Sequence, residues 1–504
     1  MILIISIFIT VTLFLIYTAI GFLMSRIKNR DVSFLEFQNT FIGIIIFIGF
    51  YALFKSDFML NSITITLVPI LLFWIFIDSK NGVRTNNYDG SNKGHLLYFF
   101  ISIVFLAILN YLIYFRNGMI YTGYKDHSFY HLVASNINLF GKEYIQNVHD
   151  LNPVSGGIYH YWELWHLSFV YDIGFFFHLN CFESYVLVHK MLLTAIVVFG
   201  AISILRIRES QLIVYCIVIF LIALNIIGEF NILIHPKNFI NFSLILLVIL
   251  KVMESVRLDV PFFLFVTLVA LFYNPLPGIP IIAALGLMVF WNRWRKLLIA
   301  AAGVVIILIL YLLLFYKVYS PPIATNDINN LEFNIFGFLR HLFIYNGYHF
   351  CMSYWWVILL VLLFVFNKQI DIKVVWFFTM VILFGFVFSS VFYTHFEQWQ
   401  FTNNLGLIIS VILTKGVLNT QNSRVKYPML VFLLLISVWR FHESNKVPFY
   451  QGIILSGDAY DKIRQNRPSS IHRKIMPWKF DGYKYSDSDF LFSIKNGVPC
   501  YSRK

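Results

Sequence analysis

Charge is scarce in this chain. Of its 504 residues only 12% are Asp, Glu, Lys or Arg, about half the share carried by soluble globular domains. Hydrophobic residues make up 59%, aromatics 19%, and the mean hydropathy is +0.74. A soluble domain of this length cannot hide so much apolar surface, so that class is excluded. Cysteine is nearly absent as well. Cys181, Cys216, Cys351 and Cys500 show no CxxC or Cys/His spacing, which argues against a structural zinc site. Cys216 lies in an apolar run and reads as inert packing; a bridge between Cys351 and Cys500 is left open. The loops carry no glycine-rich phosphate-binding motif, so a nucleotide-linked substrate is not indicated. The chain also lacks an obvious internal repeat or a low-complexity linker.

What is present is a series of apolar runs, each about the length that crosses a bilayer core. They fall near 2–24, 37–54, 63–78, 96–115, 182–204, 211–229, 238–253, 260–273, 278–291, 297–316, 353–367, 374–392, 403–416 and 427–441. The expectation is an all-α polytopic membrane protein of about fourteen transmembrane helices. Residues 1–441 form the membrane domain and 442–504 a short appendage with enough aromatic content to fold against it. The prolines and glycine of Tyr273-Asn274-Pro275-Leu276-Pro277-Gly278 force a tight break there. Met1–Met24 has no basic n-region and no small-residue cleavage site, and reads as an uncleaved first span with its N-terminus outside.

The net charge of +13 is explained by sidedness, and nucleic acid is not an expected partner. Alternate loops hold Arg26/Lys28/Arg30, Lys80/Arg84/Lys93, Arg206/Arg208, Lys251/Arg257, Arg293/Arg295/Lys296, Lys368/Lys373 and Lys415/Arg424/Lys426, which places them on the cytoplasmic side. The other side receives 116–181, 230–237, 274–277, 317–352, 393–402 and the tail. Of 14 histidines, only His95 and His189 then fall in the cytoplasm or in a span. The rest cluster outside, as a polar site on that face would require.

The largest polar island is the loop 116–181. It contains Lys125-Asp126-His127-Ser128-Phe129-Tyr130-His131, then His149-Asp150, then Tyr159-His160-Tyr161-Trp162-Glu163. Helical spacing puts Asp126, Tyr130 and Ala134 on one face and His127 and His131 on the next. The segment to Phe140 reads as an amphipathic surface helix ended by Gly141. Asp126 is placed either to cap that helix or to act as a tuned acid at the membrane edge. His160 and Glu163, three apart on one face, can bond to one another or hold a divalent metal, the chain's weak metal candidate. Further islands are His235-Pro236-Lys237-Asn238, Arg340-His341 with His349, and Thr394-His395-Phe396-Glu397-Gln398-Trp399-Gln400. Cations at such an interface suit a lipid-linked phosphate.

The run from Asp126-His127-Ser128-Phe129-Tyr130-His131 through Gly141, with Tyr159-His160 entering the next helix, resembles the first large outer loop of the GT-C superfamily. These are integral-membrane glycosyltransferases that use polyprenyl-phosphate sugars. The resemblance covers residues 96–206, and the patch His395–Asn404 is similar to a later outer loop of that superfamily. It implies a GT-C-like fold, Asp126 as general base, and inverting transfer from a polyprenyl-phosphate sugar to a glycan, lipid or protein acceptor. The site would face the periplasm of a bacterial inner membrane, and the substrate- and phosphate-binding candidates are Lys237, Arg340, His341, His349, His131, His160, Glu163, Tyr159, His395 and Glu397. Two other readings remain open: a polymerase or ligase of lipid-diphosphate-linked glycans, and a transporter or flippase. For transport the ionisable candidates in a span are Glu183, His189 and Lys190, expected near one end of theirs.

Overall fold

The computed structural model describes residues 1–27, 34–58, 61–76, 92–116, 119–121, 143–146, 153–155, 161–179, 183–205, 238–253, 258–291, 334–393, 398–402, 404–446 and 454–456. Isolated residues around 130–141, 216–219 and 295–309 are also described. Over these the chain is a helical membrane protein with a few very short strands. Five helices are long and apolar enough to cross a membrane, and six if a bent pair is taken as one span.

α1 (Ile2–Ile27) and α2 (Phe37–Lys55) form an antiparallel pair. Apolar side chains cannot drive helices together in lipid, so close backbone approach through small residues does so. A Cβ on Gly21 would stand 1.8 Å from the Asn39 carbonyl oxygen, and one on Gly43 would stand 1.7 Å from that of Tyr17. Thr18 and Thr40 share a hydroxyl bond of 2.8 Å across the seam, and Ser25 donates to Asn39 Oδ1 at 2.8 Å. α3 (Ser62–Phe76) packs on α2 where Gly49 meets Leu67, and α4 (Asn92–Tyr114) follows.

After α4 come β1 (Phe115–Arg116) and β2 (Met119–Tyr121), then the hairpin of β3 (Tyr144–Gln146) with β4 (Pro153–Ser155). Between β2 and β3, Tyr130, Val133, Ala134, Ile137 and Asn138 are helical and buried, at i, i+3, i+4, i+7, i+8 spacing. This is the apolar stripe of the amphipathic helix expected from the sequence. Gly141 ends it with φ +64° and an N–H bond to the Ile137 carbonyl, a left-handed position that suits glycine. Far along the chain, β5 (Ile454–Ser456) pairs antiparallel with β2. The C-terminal segment is thereby tied to the loop that follows α4.

From its sequence 116–181 is expected to be an outer loop; the last part of that range is helical and packed into the bundle. α5 (Tyr161–Phe176) is a buried helix packed against α2, α3 and a later helix, with Trp162, Leu164, Trp165 and His166 fully enclosed. An interfacial aromatic belt and an internal aromatic wedge have the same composition, and only the packing tells them apart. A π-helical stretch, Ser184–Lys190, runs into α6 (Met191–Leu205). Glu183, His189 and Lys190, expected near a span end, are completely buried. Cys216, expected as inert packing, is exposed.

α7 (Phe239–Met253), α8 (Val260–Tyr273) and α9 (Pro275–Phe290) follow. Asp259 caps α8 by accepting from Phe262 N at 2.9 Å, as an N-cap acid shortly before a first-turn proline should. The expected break is one residue wide, since Asn274 alone separates α8 from α9. α10 (Ile335–Arg340), a second π-helical stretch (His341–Tyr348) and α11 (His349–Phe366) form a path bent by 72°. α12 (Ile372–Val391), a 3-10 turn (Gln398–Thr402), α13 (Leu405–Leu418) and α14 (Ser423–Lys446) complete the helices. Most of the expected spans have a described helix over them. Residues 211–229 and 297–316 lie largely outside the described residues, and several of the observed helices are shorter than a full crossing.

Candidate functional site

The first turns of α5 enter the middle of a buried polar cluster. Glu163 is only 3% exposed and interacts electrostatically with the ammonium of Lys190. Lys190 in turn lies 4.6 Å over the Tyr185 ring, a cation–π contact strengthened by desolvation. One turn on from Glu163, His166 Nδ1 is 2.7 Å from His189 Nδ1, and its Nε2 is 3.2 Å from the Tyr17 hydroxyl. One imidazole must donate and the other accept across the short contact. Giving that proton to His166 leaves its Nε2 as the acceptor for Tyr17, which satisfies both contacts. The cluster thus ties α1, α5 and the π-helical stretch before α6. A π turn inserts one extra residue per turn and often marks a functional site; here it presents Tyr185, His189 and Lys190 to α5.

A second assembly holds the loop of 130–143 against the bundle. Glu143 is fully buried. Its carboxylate accepts from Ser62 N at 3.1 and 3.2 Å, from the Ser62 hydroxyl at 2.5 Å, and from Trp165 Nε1 at 2.7 Å. The Ser62 N–H is an orphan donor at the start of α3, where the helix dipole favours an anion. Burial pushes this carboxyl up to about 7, against the pull of those hydrogen bonds. Beside it, Asn138 Nδ2 donates to the Ser168 carbonyl and to Asp172 Oδ1, both at 3.0 Å. Asp172 also receives Tyr51 OH at 2.8 Å and Lys55 Nζ at 3.0 Å. These bonds join the loop to α3 and to α5, and α5 to the end of α2.

Contacts also link the polar islands across the chain. Trp162 stacks on Phe239 (5.4 Å between centroids, 12° between planes) and leans on Tyr273 at 6.2 Å. Phe239 and Asn238 follow directly on His235-Pro236-Lys237. Asn404 donates to the Pro277 carbonyl at 2.9 Å, which brings the end of the His395–Asn404 patch to the α8–α9 break. Phe392 stacks on Phe401 at 5.5 Å, folding that patch back on the end of α12. His341 meets the same end: its Nδ1 is 3.3 Å from Ser390 Oγ, and its ring is 6.3 Å from that of Tyr393. Asn346 bonds both His341 and Ser390.

Of the residues singled out from sequence, Glu163 is internal and within electrostatic reach of Lys190. His341 is half-buried against α12, Arg340 is exposed and lies 5.9 Å over the Tyr345 ring, and His349 opens α11. Asp126, His131, Tyr159, His160, Lys237, His395 and Glu397 lie outside the described residues. His166, counted among the outer histidines, sits in the interior. Among the described residues no group of three or more His, Cys, Asp or Glu is arranged to hold a metal ion.

No protein family, characterised protein or solved structure matches the chain. The function must be read from its own residues.

Sequence reasoning missed Glu143 and Asp172. Glu143 had a readable signal: it follows a helix-ending glycine by two residues, in a chain with few acids. Its partner Ser62 is 81 positions away, and no spacing rule reaches that far.

Proposed function

We propose that the chain is a membrane glycosyltransferase that moves a sugar from a polyprenyl-phosphate donor to a glycan, lipid or protein acceptor at the outer, periplasmic face. The observation that supports this reading is the junction around Trp162. Trp162 contacts Phe239, beside 230–238, and Tyr273, at the end of α8; Asn404, at the end of 394–403, bonds to Pro277 just past that same helix end. Segments dispersed over about half the chain would have no reason to meet if each merely touched lipid headgroups.

In the proposed reaction Asp126 accepts the proton of the acceptor hydroxyl as its oxygen attacks the anomeric carbon. The bond from that carbon to the phosphate oxygen breaks with inversion. Lys237 and Arg340, with His341 or His395, neutralise the departing phosphate. Asp126→Asn should lower release of polyprenyl phosphate in isolated membranes by about 10²–10⁴-fold, the usual contribution of a general base. Full activity in that variant would remove Asp126 from the role. If Arg340→Ala abolished transfer while Asp126→Asn did not, the polymerase or ligase reading would take its place.

One observation favours a second reading. Buried Glu163, His166, His189 and Lys190 are the kind of interior ionisable group that marks ion and proton paths in carriers. A carrier or flippase leaves the lipid–sugar bond intact, so donor-dependent release of polyprenyl phosphate by purified protein separates the two.

A further inference from the structure

We infer that the arm Ile335–Met352 seats a lipid bearing a terminal phosphate, with Arg340 and His341 as its donors and Asn346 as the positioning residue that sets the imidazole. The seat is built at a bend. Ile335–Met352 stands at 72° to Val357–Phe366. With Val357–Phe366 in the apolar layer, that angle lays the arm close to the plane of the membrane surface, as interfacial helices lie. One side of the arm is docked on the end of α12: a Cβ on Gly337 would stand 2.4 Å from the Tyr393 ring, and Phe350 packs on Phe386 at 5.3 Å. The open side is apolar, with Phe336, Leu339, Phe343, Ile344, Tyr348 and Met352 exposed.

The polar groups of the arm are few, and their bonds fix the state of the ring. Asn346 Nδ2 lies 2.9 Å from Ser390 Oγ, 3.3 Å from the Phe386 carbonyl and 3.2 Å from His341 Nδ1. A carbonyl only accepts, so the amide turns its NH2 to this corner. Its bond to His341 then needs a bare Nδ1, which puts the hydrogen of the neutral ring on Nε2. The Ser390 hydroxyl gives its own hydrogen to the Phe386 carbonyl at 2.7 Å. Its contact with His341 Nδ1 at 3.3 Å therefore requires a protonated Nδ1. Asn346 thus holds the neutral ring and Ser390 the imidazolium, and in both Nε2 keeps its hydrogen.

Tyr345 joins this ring to the cation. It stacks on His341 at 5.3 Å, and the Arg340 guanidinium lies 5.9 Å over it. Among the described residues Arg340 makes no ion pair and His341 Nε2 makes no hydrogen bond. A guanidinium fork and a ring N–H, neither taken up by the protein, thus sit at consecutive positions of an arm that is otherwise apolar on its open side. The fork can take two phosphate oxygens and the imidazole a third. A terminal phosphate offers three such oxygens, a phosphodiester headgroup only two. The apolar side suits the hydrocarbon chain of a lipid, and a soluble phosphate would leave it uncovered. In the glycosyltransferase reading the lipid is the polyprenyl phosphate left when the anomeric carbon–oxygen bond breaks; the choice of that lipid rests on the reading, and the seat itself does not.

The test uses the full-length protein in phosphatidylcholine nanodiscs holding polyprenyl phosphate, phosphatidylglycerol or polyprenol, with inorganic phosphate as a soluble arm. Bound lipid is counted by native mass spectrometry, and release of polyprenyl phosphate from its sugar-bearing form is assayed in parallel. Polyprenyl phosphate should bind more tightly than the other three. Arg340→Gln and His341→Phe should each weaken it by about 10–100-fold, the range for a hydrogen bond to a charged group. In Asn346→Leu the nitrogen resonances of histidine-labelled protein should show the His341 hydrogen leaving Nε2, a change that a merely structural asparagine would not cause; Ser390→Ala should leave it in place. Equal binding of phosphatidylglycerol, or wild-type affinity in both Arg340→Gln and His341→Phe, overturns the seat. An unmoved hydrogen in Asn346→Leu removes Asn346 from its role. Tight, Arg340-dependent binding in a protein that releases no polyprenyl phosphate upholds the seat and removes the transferase reading, whereas release without such binding removes the seat alone.

Discussion

Glu163 shows how a residue changes meaning when its neighbours become visible. In the sequence it stands in an aromatic, histidine-bearing stretch and reads as a ligand. In the fold it is enclosed beside Lys190, within a cluster that also holds His166, His189 and Tyr17. Two buried opposite charges gain little over an apolar pair, but removing one leaves the other uncompensated. Lys190→Met alone should therefore destabilise the protein by about 3–5 kcal/mol. The double variant Glu163→Gln with Lys190→Met should recover most of that loss, as read by thermal unfolding in detergent. If the two losses simply add, the carboxylate and the ammonium are not coupled and Glu163 returns to the list of ligand candidates. The histidine pair could not be seen from sequence because its members are 23 positions apart, on two helices that only packing brings together.

At the scale of elements, the α1–α2 hairpin is the foundation on which the site is assembled. α2 carries Tyr51 and Lys55 to α5, and α1 carries Tyr17 to His166. The pair depends on backbone contact at Gly21 and Gly43, where no Cβ has room. Gly43→Val should push the helices apart, lower the yield of folded protein sharply and break the Tyr17–His166 contact; wild-type yield and unfolding temperature in that variant would show that the seam yields cheaply. Helix existence was legible from apolar run length, and the one-residue break at Asn274 from its prolines. The amphipathic helix ended by Gly141 was legible from its spacing. The burial of α5 was not, since Tyr161-Trp162-Glu163-Leu164-Trp165 has the composition of an interfacial belt and carries two polar residues. Its fate was decided by the polar partners waiting for it, Glu143 for Trp165 and Lys190 for Glu163.

For the whole molecule, the charge pattern of the loops makes one statement that contacts can only support. The loop after α4 and the C-terminal tail were placed on the same side, and β2 pairs with β5. A cysteine-free chain carrying a single cysteine at Ser128 should react with a membrane-impermeant maleimide in intact cells, and one at Ser91 should react only after permeabilisation. The opposite pattern would invert the orientation and move the proposed site to the cytoplasm.

Composition and run length by themselves determined that this chain is a helical membrane protein, because 12% charge leaves no other solvent for its surface. Periodicity and turn residues determined where many of its helices begin and end, because backbone hydrogen bonding and φ preferences are local. Only the tertiary structure decided which polar residues are enclosed. Glu143, Glu163, His166 and Lys190 are brought into the interior beside residues distant in sequence, and the free energy of an enclosed polar group is set by what surrounds it rather than by its place in the chain.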